Sequence, residues 1–528
     1  MEAEPVMAVV VVKTVVAFFL GGLVLYFLYL YESMVLKPRR LRSNLQKQGI
    51  RGPSPSILLG NIPEIKKIQL EARSRTPPNG NLSDVVSIAH DWPFTVLSHL
   101  LQWRNEYGPM FVYGMGNIQF FCITDAEMVK EVSVYTSLNL GRPTYLSKEH
   151  GPLLGQGIIS SSGPIWAHQK KIIAPEFYLD KVKGMVSLMV DSTTSMLRIW
   201  ENRIKNEGGV ADIKVDEDLR SLSGDIISRA CFGSSYSQGE QIFSKLRTLQ
   251  KLMSNRIIGI PFLRFIPTKK NIDIWRLEKE IHAMILKVVK QRTEVADGKD
   301  LLQMILDGAK FYGGVDSPSL GITRDKFIVD NCKNIYFAGH ETTAITAAWI
   351  LMLLAAYPAW QTRVREEVQE ICKGGVPDAE MLRSMKVLTM VIQETLRLYA
   401  PGVFVSRKAL QDIQLKDILV PKGMHVQVPI SILHQDTDLW GPDAHQFNPG
   451  RFENGVLGAC KLPQAFIPFG VGPRICVGQH LAMIELKVIL SLILTKFCFA
   501  LSPTYRHSPA FKLVVQPEHG INLHVERV

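Results

Sequence analysis

Most of this chain alternates apolar and polar positions with a helical period, but its first stretch does not. Residues Val6 to Tyr31 are apolar almost throughout, with Lys13 the single charge. A helix over that span meets the roughly 20 residues that crossing a bilayer requires, and Lys13 can extend its ammonium toward the headgroups. A cleaved signal peptide is the competing reading, but the apolar stretch is long for one and lacks a small-x-small cleavage site. Glu2 and Glu4 precede the run, and Lys37, Arg39, Arg40, Arg42 and Lys47 follow it. The positive-inside rule therefore puts the bulk of the chain on the cytoplasmic side. Arg51-Gly52-Pro53-Ser54-Pro55 is stiff and non-helical. The chain thus divides into an anchor at 1–36, a basic and proline-rich linker at 37–55 and a folded unit at 56–528.

Within the folded unit, helical periodicity predicts helices over 181–206, 216–230, 239–255, 272–293, 323–356, 385–399 and 479–496. A basic amphipathic stretch occupies 65–75, and a Pro/Gly/Asn loop 76–81. Short strand-like runs at 110–113 and 119–123, parted by Gly114 and Gly116, predict a hairpin, and 497–501 and 511–515 predict closing strands. The fold class is mainly α with small β-sheets. The longest pattern opens on Thr323 as N-cap, stops at Tyr357-Pro358, and would be about 50 Å long, enough to cross a domain. Its middle, Ala338-Gly339-His340-Glu341-Thr342-Thr343, fits a helix poorly. Glycine there costs about 1 kcal/mol, and the threonines can bond back to earlier carbonyls and bend the axis. It reads either as a kink for close packing or as a local opening with a hydroxyl to deliver protons. Glu394 and Arg397, three apart on the next helix, share one face within ion-pair reach.

Composition removes several classes. Hydrophobic residues make up 46%, too many for disorder. The seven cysteines are scattered, odd in number and without a C-x-x-C pair, which argues against a disulfide framework or zinc site and for a reducing compartment. The net charge of +11 suits a membrane surface or an acidic protein partner. No nucleic-acid motif accompanies it, so nucleic acid is not expected as a partner.

One cysteine stands apart. Phe469-Gly470-Val471-Gly472-Pro473-Arg474-Ile475-Cys476-Val477-Gly478 leads into the apolar helix from Gln479. The glycines let the backbone turn tightly and approach a flat ligand. The helix turns its free N–H groups and positive dipole end toward Cys476, which predicts a lowered thiol pKa and a metal-binding thiolate. A lone cysteine here would read as a buried loop–helix contact. The ten residues together resemble the haem-binding loop of cytochromes P450, F-x-x-G-x-R-x-C-x-G, at every specified position.

The resemblance extends from the anchor to the C-terminal strands and implies the P450 fold, an α-rich prism with small β-sheets behind one N-terminal transmembrane helix. It implies that Cys476 is the axial ligand of haem b iron and that Phe469 and Arg474 belong to its loop, with Arg474 on a propionate. Trp166-Ala167-His168-Gln169-Lys170 matches the W-x-x-x-R propionate pair, except that Lys170 replaces the arginine and supplies charge without the bidentate fork. Arg407, ten residues past Arg397, is implied to contact the second propionate. The central hexad matches [A/G]-G-x-[D/E]-T-T, giving Thr342 and Glu341 the proton relay. Glu394 and Arg397 match the structural E-x-x-R pair with Arg451 as third partner, although Pro449-Gly450-Arg451-Phe452 has glycine where the family has glutamate.

Closer likeness is to plant P450s of the 714 family, carried by Ile172 to Met185, Ser228 to Ser235 and Val329 to Gly339. That family oxidises gibberellins and related diterpenoid acids, and some members pentacyclic triterpenoid acids. The implied activity is monooxygenation with O2 and electrons from NADPH-cytochrome P450 reductase, at the endoplasmic reticulum membrane. By position in the fold, 334–338, 402–406, 138–159 and 255–265 are expected to line the substrate pocket, with His150, Arg256 or Ser406 as a carboxylate anchor. The alternatives are a reductase-independent haem-thiolate isomerase and a haem sensor without turnover.

Overall fold

The computed structural model describes residues 3–75, 88–233, 236–254, 256–294, 300–312 and 322–528; the predicted loop at 76–81 and residue 255 lie outside them. The apolar run forms helix Ala3–Tyr31, and its side chains from Val12 onward are exposed. That helix continues through a π-turn, Glu32–Leu36, into helix Lys37–Gln46. Residues 37–46, expected as linker, are therefore helical and dock on the folded unit. Leu41 and Leu45 are buried in its smaller core, and the Arg42 guanidinium is buried against the carbonyls of Gly52 and Pro53. Arg42 thus clamps the proline-rich segment rather than joining the exposed Arg39 and Arg40.

The larger core surrounds helix Arg324–Ala356, which is apolar on nearly every side because it is packed on nearly every side. It passes the same length and hydropathy test for a membrane span as Val12–Gln46, yet 78% of its apolar window is buried against 0% for the N-terminal one. Thr323 caps it as predicted, its hydroxyl accepting the Lys326 N–H. Helix Val215–Phe232 runs along it, and Gly339 permits the approach: a Cβ there would stand 2.5 Å from Ile227 Cδ1. Helix Lys386–Leu398 and the cysteine-loop helix Gln479–Lys496 complete the surround.

The predicted hairpin is present as Met110–Met115 and Ile118–Ile123, and it forms one edge of a five-stranded sheet. Ile118–Ile123 pairs in parallel with His425–Pro429, which pairs antiparallel with Phe404–Ala409 and so holds Arg407 over the cysteine loop. Two predictions are corrected. The pattern over 181–206 splits at Gly184 into Leu179–Lys183 and Val186–Asn206. Residues 511–515 are not one strand: Leu513 takes a left-handed φ of 70°, folding Pro509–Phe511 back on Val515–Pro517. The strand that pairs with Phe497–Leu501 is Asn522–Arg527 instead.

Candidate active site

The loop from Phe469 to Gly478 is shaped by two left-handed glycines, Gly470 at φ 79° and Gly472 at φ 66°. A Cβ at Gly472 would also meet the Ser133 carbonyl at 2.8 Å. Gly478 differs from the expectation: its φ of −90° is open to any residue, and it serves as N-cap of the following helix. The Cys476 N–H donates to the Phe469 carbonyl at 2.9 Å and closes the loop. The cysteine side chain opens onto an interior cavity of about 320 Å³. The expected lowering of its thiol pKa is not what the surroundings give. Burial pushes the Cys476 thiol up, and a hydrogen bond from the Gly478 backbone and the charge of Arg142 only partly offset it. A coordinated metal displaces the proton outright, so the raised thiol does not oppose ligation.

Four cations line this end of the cavity, and they are its only charged lining residues among those described. The Arg474 guanidinium lies 4.1 Å from the Trp166 ring centre and donates to the Ser161 carbonyl at 2.9 Å. Lys170, on helix Gly163–Ile173 with Trp166, sits 5.2 Å from the same ring and donates to the Pro473 carbonyl at 2.8 Å. Arg407 donates to the Val471 carbonyl at 3.2 Å. The fourth, Arg142, lies in the expected pocket segment 138–159 but was given no role of its own; it follows Leu140-Gly141 on the short sheet-edge strand and carries no motif. Burial and Arg142 push Arg474 down to about 9, and burial with repulsion from Arg142 and Arg474 pushes Arg407 well below its ordinary value. Arg474 Nη2 and Arg142 Nε are buried without a hydrogen-bond partner. Like charges converging on unmet donors suit an anionic ligand at this end of the cavity.

Thr342 lines the cavity beside Ala338 and Gly339, and its hydroxyl donates to the Ala338 carbonyl at 2.7 Å. Glu341 points away from the cavity. Its Oε1 accepts from Arg220 Nε at 3.2 Å, and its buried Oε2 has no hydrogen-bond partner, with His340 Nδ1 3.6 Å away. A second carboxyl, also missed, lies behind Gly339. Glu485 is fully buried, and burial pushes it up to about 8 against a weaker effect from Ser223. Ser223 Oγ is 2.6 Å from Glu485 Oε1 and 3.2 Å from the Gly339 carbonyl. Ser223 has one hydroxyl hydrogen for two acceptors, Glu485 and Gly339, and protonation of Glu485 relieves this by letting the carboxyl donate to Ser223. An acid inside the apolar run Leu481-Ala482-Met483-Ile484-Glu485 was the readable signal.

The ion pair at the base is wholly buried. Arg397 meets Glu394 through two bonds, at 2.7 and 2.8 Å, and donates to the carbonyls of His434, Ala444 and Gln446. Arg451 lies 3.4 Å from Glu394 Oε1 and pairs with Asp443 at 2.8 Å. Asp443 therefore supplies the carboxylate that Gly450 does not. Of the expected pocket segments, Arg142, Ile158, Ile159, Asn334, Ile335, Ala338, Gly402, Phe404 and Val405 reach the cavity. None of the described residues of 255–265 does, and neither do His150, Arg256 or Ser406.

The cytochrome P450 family model matches residues 79–525. The chain belongs to the cytochrome P450 family. It is 50% identical over 505 residues to cytochrome P450 714C2 of Oryza sativa subsp. japonica, covering 95% of each chain. It is 46% identical to cytochrome P450 714B3 of Zea mays, covering 100% of this chain and 98% of that one, and 46% identical to cytochrome P450 714A2 of Arabidopsis thaliana, covering 94% and 95%. As a P450 it is a haem-thiolate monooxygenase that uses O2. The donor set fits that group: a cavity-facing thiol, a largely apolar lining and four cations, two of which carry buried nitrogens without a hydrogen-bond partner.

Proposed function

We propose that this P450 hydroxylates or epoxidises a terpenoid, a gibberellin or related diterpenoid acid in the first place and a pentacyclic triterpenoid acid in the second. The observation that carries the reading is the cavity itself. Away from the cysteine loop its lining is neutral and largely apolar, with Ile158, Ile159, Ile335 and Phe404 among its walls. Such a wall suits a rigid hydrocarbon skeleton, and the terpenoid substrates implied by the resemblance to the 714 family favour that class. Because His150, Arg256 and Ser406 do not line it, a substrate carboxylate would be oriented by exclusion from the apolar walls rather than by a cation.

Cys476 would hold the haem iron, with Phe469 in the same loop, while Arg474, Arg407, Arg142, Lys170 and Trp166 would hold its two propionates. The bound haem supplies the activation of O2. The protein's part is to exclude water, orient the skeleton and move protons. Thr342 would hold a proton at Oγ1 beside the Ala338 carbonyl, and Glu341, whose Oε1 accepts from Arg220, would take up protons at Oε2 and pass them toward it. Electrons would come from NADPH-cytochrome P450 reductase, whose acidic surface the +11 chain would attract. The exposed N-terminal helix would hold the enzyme in the endoplasmic reticulum membrane with the catalytic unit in the cytoplasm.

The test is to supply gibberellins, kaurenoic acid and oleanane or ursane acids to membranes holding this chain and a reductase, and to determine product structures. Oxidised product from a diterpenoid acid supports the first choice; product only from a triterpenoid acid moves the assignment to the second. NADPH-independent turnover would replace the proposal with an isomerase. Cys476→Ser is expected to abolish the reduced-CO band of thiolate haem, and its persistence would overturn the ligand assignment.

A further inference from the structure

The N-terminal half of the central helix buries a stripe of polar side chains: Asp330, Asn331, Lys333 and Asn334 are each 4% exposed or less. Burying such groups is costly unless every donor and acceptor finds a partner. Here the partners are the backbone of one loop. Asp330 accepts the Gln156 N–H at 2.8 Å, Asn331 the Ile158 N–H at 3.0 Å and Asn334 the Ile159 N–H at 2.8 Å. Asn334 also donates to the Leu154 carbonyl at 2.7 Å, and Lys333 to the Pro152 carbonyl at 3.3 Å. From the other side Gln169 donates to the Gln156 carbonyl at 2.8 Å.

The loop sequence is cut to this contact. A Cβ on Gly155, which has φ 55°, would fall 2.0 Å from the Asp330 carboxyl carbon, and one on Gly157 would fall 2.6 Å from Asn334 Oδ1. Surface loops ordinarily bond their backbone to water and move. This one spends its N–H groups on a rigid helix, and the side chains it carries there, Ile158 and Ile159, line the cavity.

We propose that Asp330, Asn331 and Asn334 are positioning residues for substrate selection. By bolting the backbone of 156–159 to the central helix they make Ile158 and Ile159 a fixed wall, whose shape decides which part of a substrate can approach Cys476. The proposal rests on reading this cavity as the substrate site, and Asn331 is its cleanest lever because it does not line the cavity. A change there reaches a bound molecule only through the loop.

The experiment uses the full-length haem-loaded chain and needs no knowledge of the natural substrate. Hydrogen exchange is followed at the amides of Gln156, Ile158 and Ile159, and binding of imidazole and of 4-phenylimidazole is titrated by the haem spectrum. In the unaltered protein these amides are expected to exchange as slowly as core helix amides. Asn331→Leu should speed their exchange and change the ratio of the two dissociation constants by roughly tenfold, the scale on which pocket shape discriminates. Asn331→Asp, which keeps the acceptor, should restore both. If Asn331→Leu fails to hold haem, Gly157→Ala displaces the loop from its own side and is expected to shift the same ratio. Exchange at the rate of exposed loops in the unaltered protein overturns the proposal, as does a ratio that stays fixed while exchange accelerates. Failure of every terpenoid to turn over would sink the substrate assignment and leave these readouts untouched.

Discussion

At the scale of single residues, the cysteine end of the cavity holds charge in a state the protein alone does not favour. Arg142, Arg407 and Arg474 repel one another in a buried setting, and two of their nitrogens lack partners. Arg142→Leu should therefore act in opposite directions on the two forms. The haem-free protein should melt higher, and haem should dissociate about tenfold faster or more, the loss of one charge-assisted hydrogen bond. Melting curves and haem transfer to apomyoglobin measure both; a variant that destabilises the haem-free form would show Arg142 to be structural. Glu485 gives a pH signature. Its folded value of about 8 exceeds the ordinary 4.5, so between those pH values the native state binds the extra proton. Stability attributable to it is fully present below pH 4.5 and is lost as pH rises toward 8. Glu485→Gln should flatten that slope, so the unfolding free energy by chemical denaturation should shift in the variant's favour from pH 5 to pH 9, by a total on the order of a few kcal/mol. Parallel curves would place the carboxyl elsewhere or ionised.

At the scale of elements, the site depends on how closely helix Val215–Phe232 approaches the central helix. Arg220 and Ser223 sit three apart on that helix, and they serve Glu341 and Glu485 respectively. Gly339 lets Ile227 pack against the turn that presents Thr342. Gly339→Ala should cost about 1–3 kcal/mol through overpacking. Ile227→Ala should lose about 2–5 kcal/mol alone, while the double variant should fall short of the sum because the added methyl fills the space vacated. Chemical denaturation of the three variants tests this, and strict additivity would mean the two residues do not share the contact. The sequence reading placed Gly339, Glu341 and Thr342 on one helix, and they lie within Arg324–Ala356. It could not place Glu341 on the far side, because an i, i+1 pair diverges by about 100° and only the neighbouring helix decides which member faces ligand.

At the scale of the whole molecule, the N-terminal apolar helix and the folded unit meet in a continuous helical segment rather than a loose tether. Helix Lys37–Gln46 contributes Leu41, Leu45 and Arg42 to the smaller core. Removing residues up to Tyr31 should release the protein from membranes and leave its reduced-CO band and melting temperature unchanged. Extending the deletion through Gln46 should lower stability by several kcal/mol, from the two buried leucines together with the Arg42 hydrogen bonds. Fractionation and thermal melts of the two truncations distinguish a docked segment from a linker. Equal stability of both would return residues 37–46 to the linker role that their charge suggested.

The chain by itself determined most of its helix pattern, the membrane-length run, the cysteine loop and the pairing of Glu394 with Arg397, because each is written in local spacing or in a motif whose chemistry is fixed by neighbouring residues. Only the tertiary structure decided that Arg142 joins Arg474, Arg407 and Lys170, that Asp443 supplies the carboxylate beside Arg451, and that three side chains of the central helix hold the loop at 156–159. Those contacts join residues far apart in sequence, so their partners are set by how helices and loops pack and not by any period along the chain.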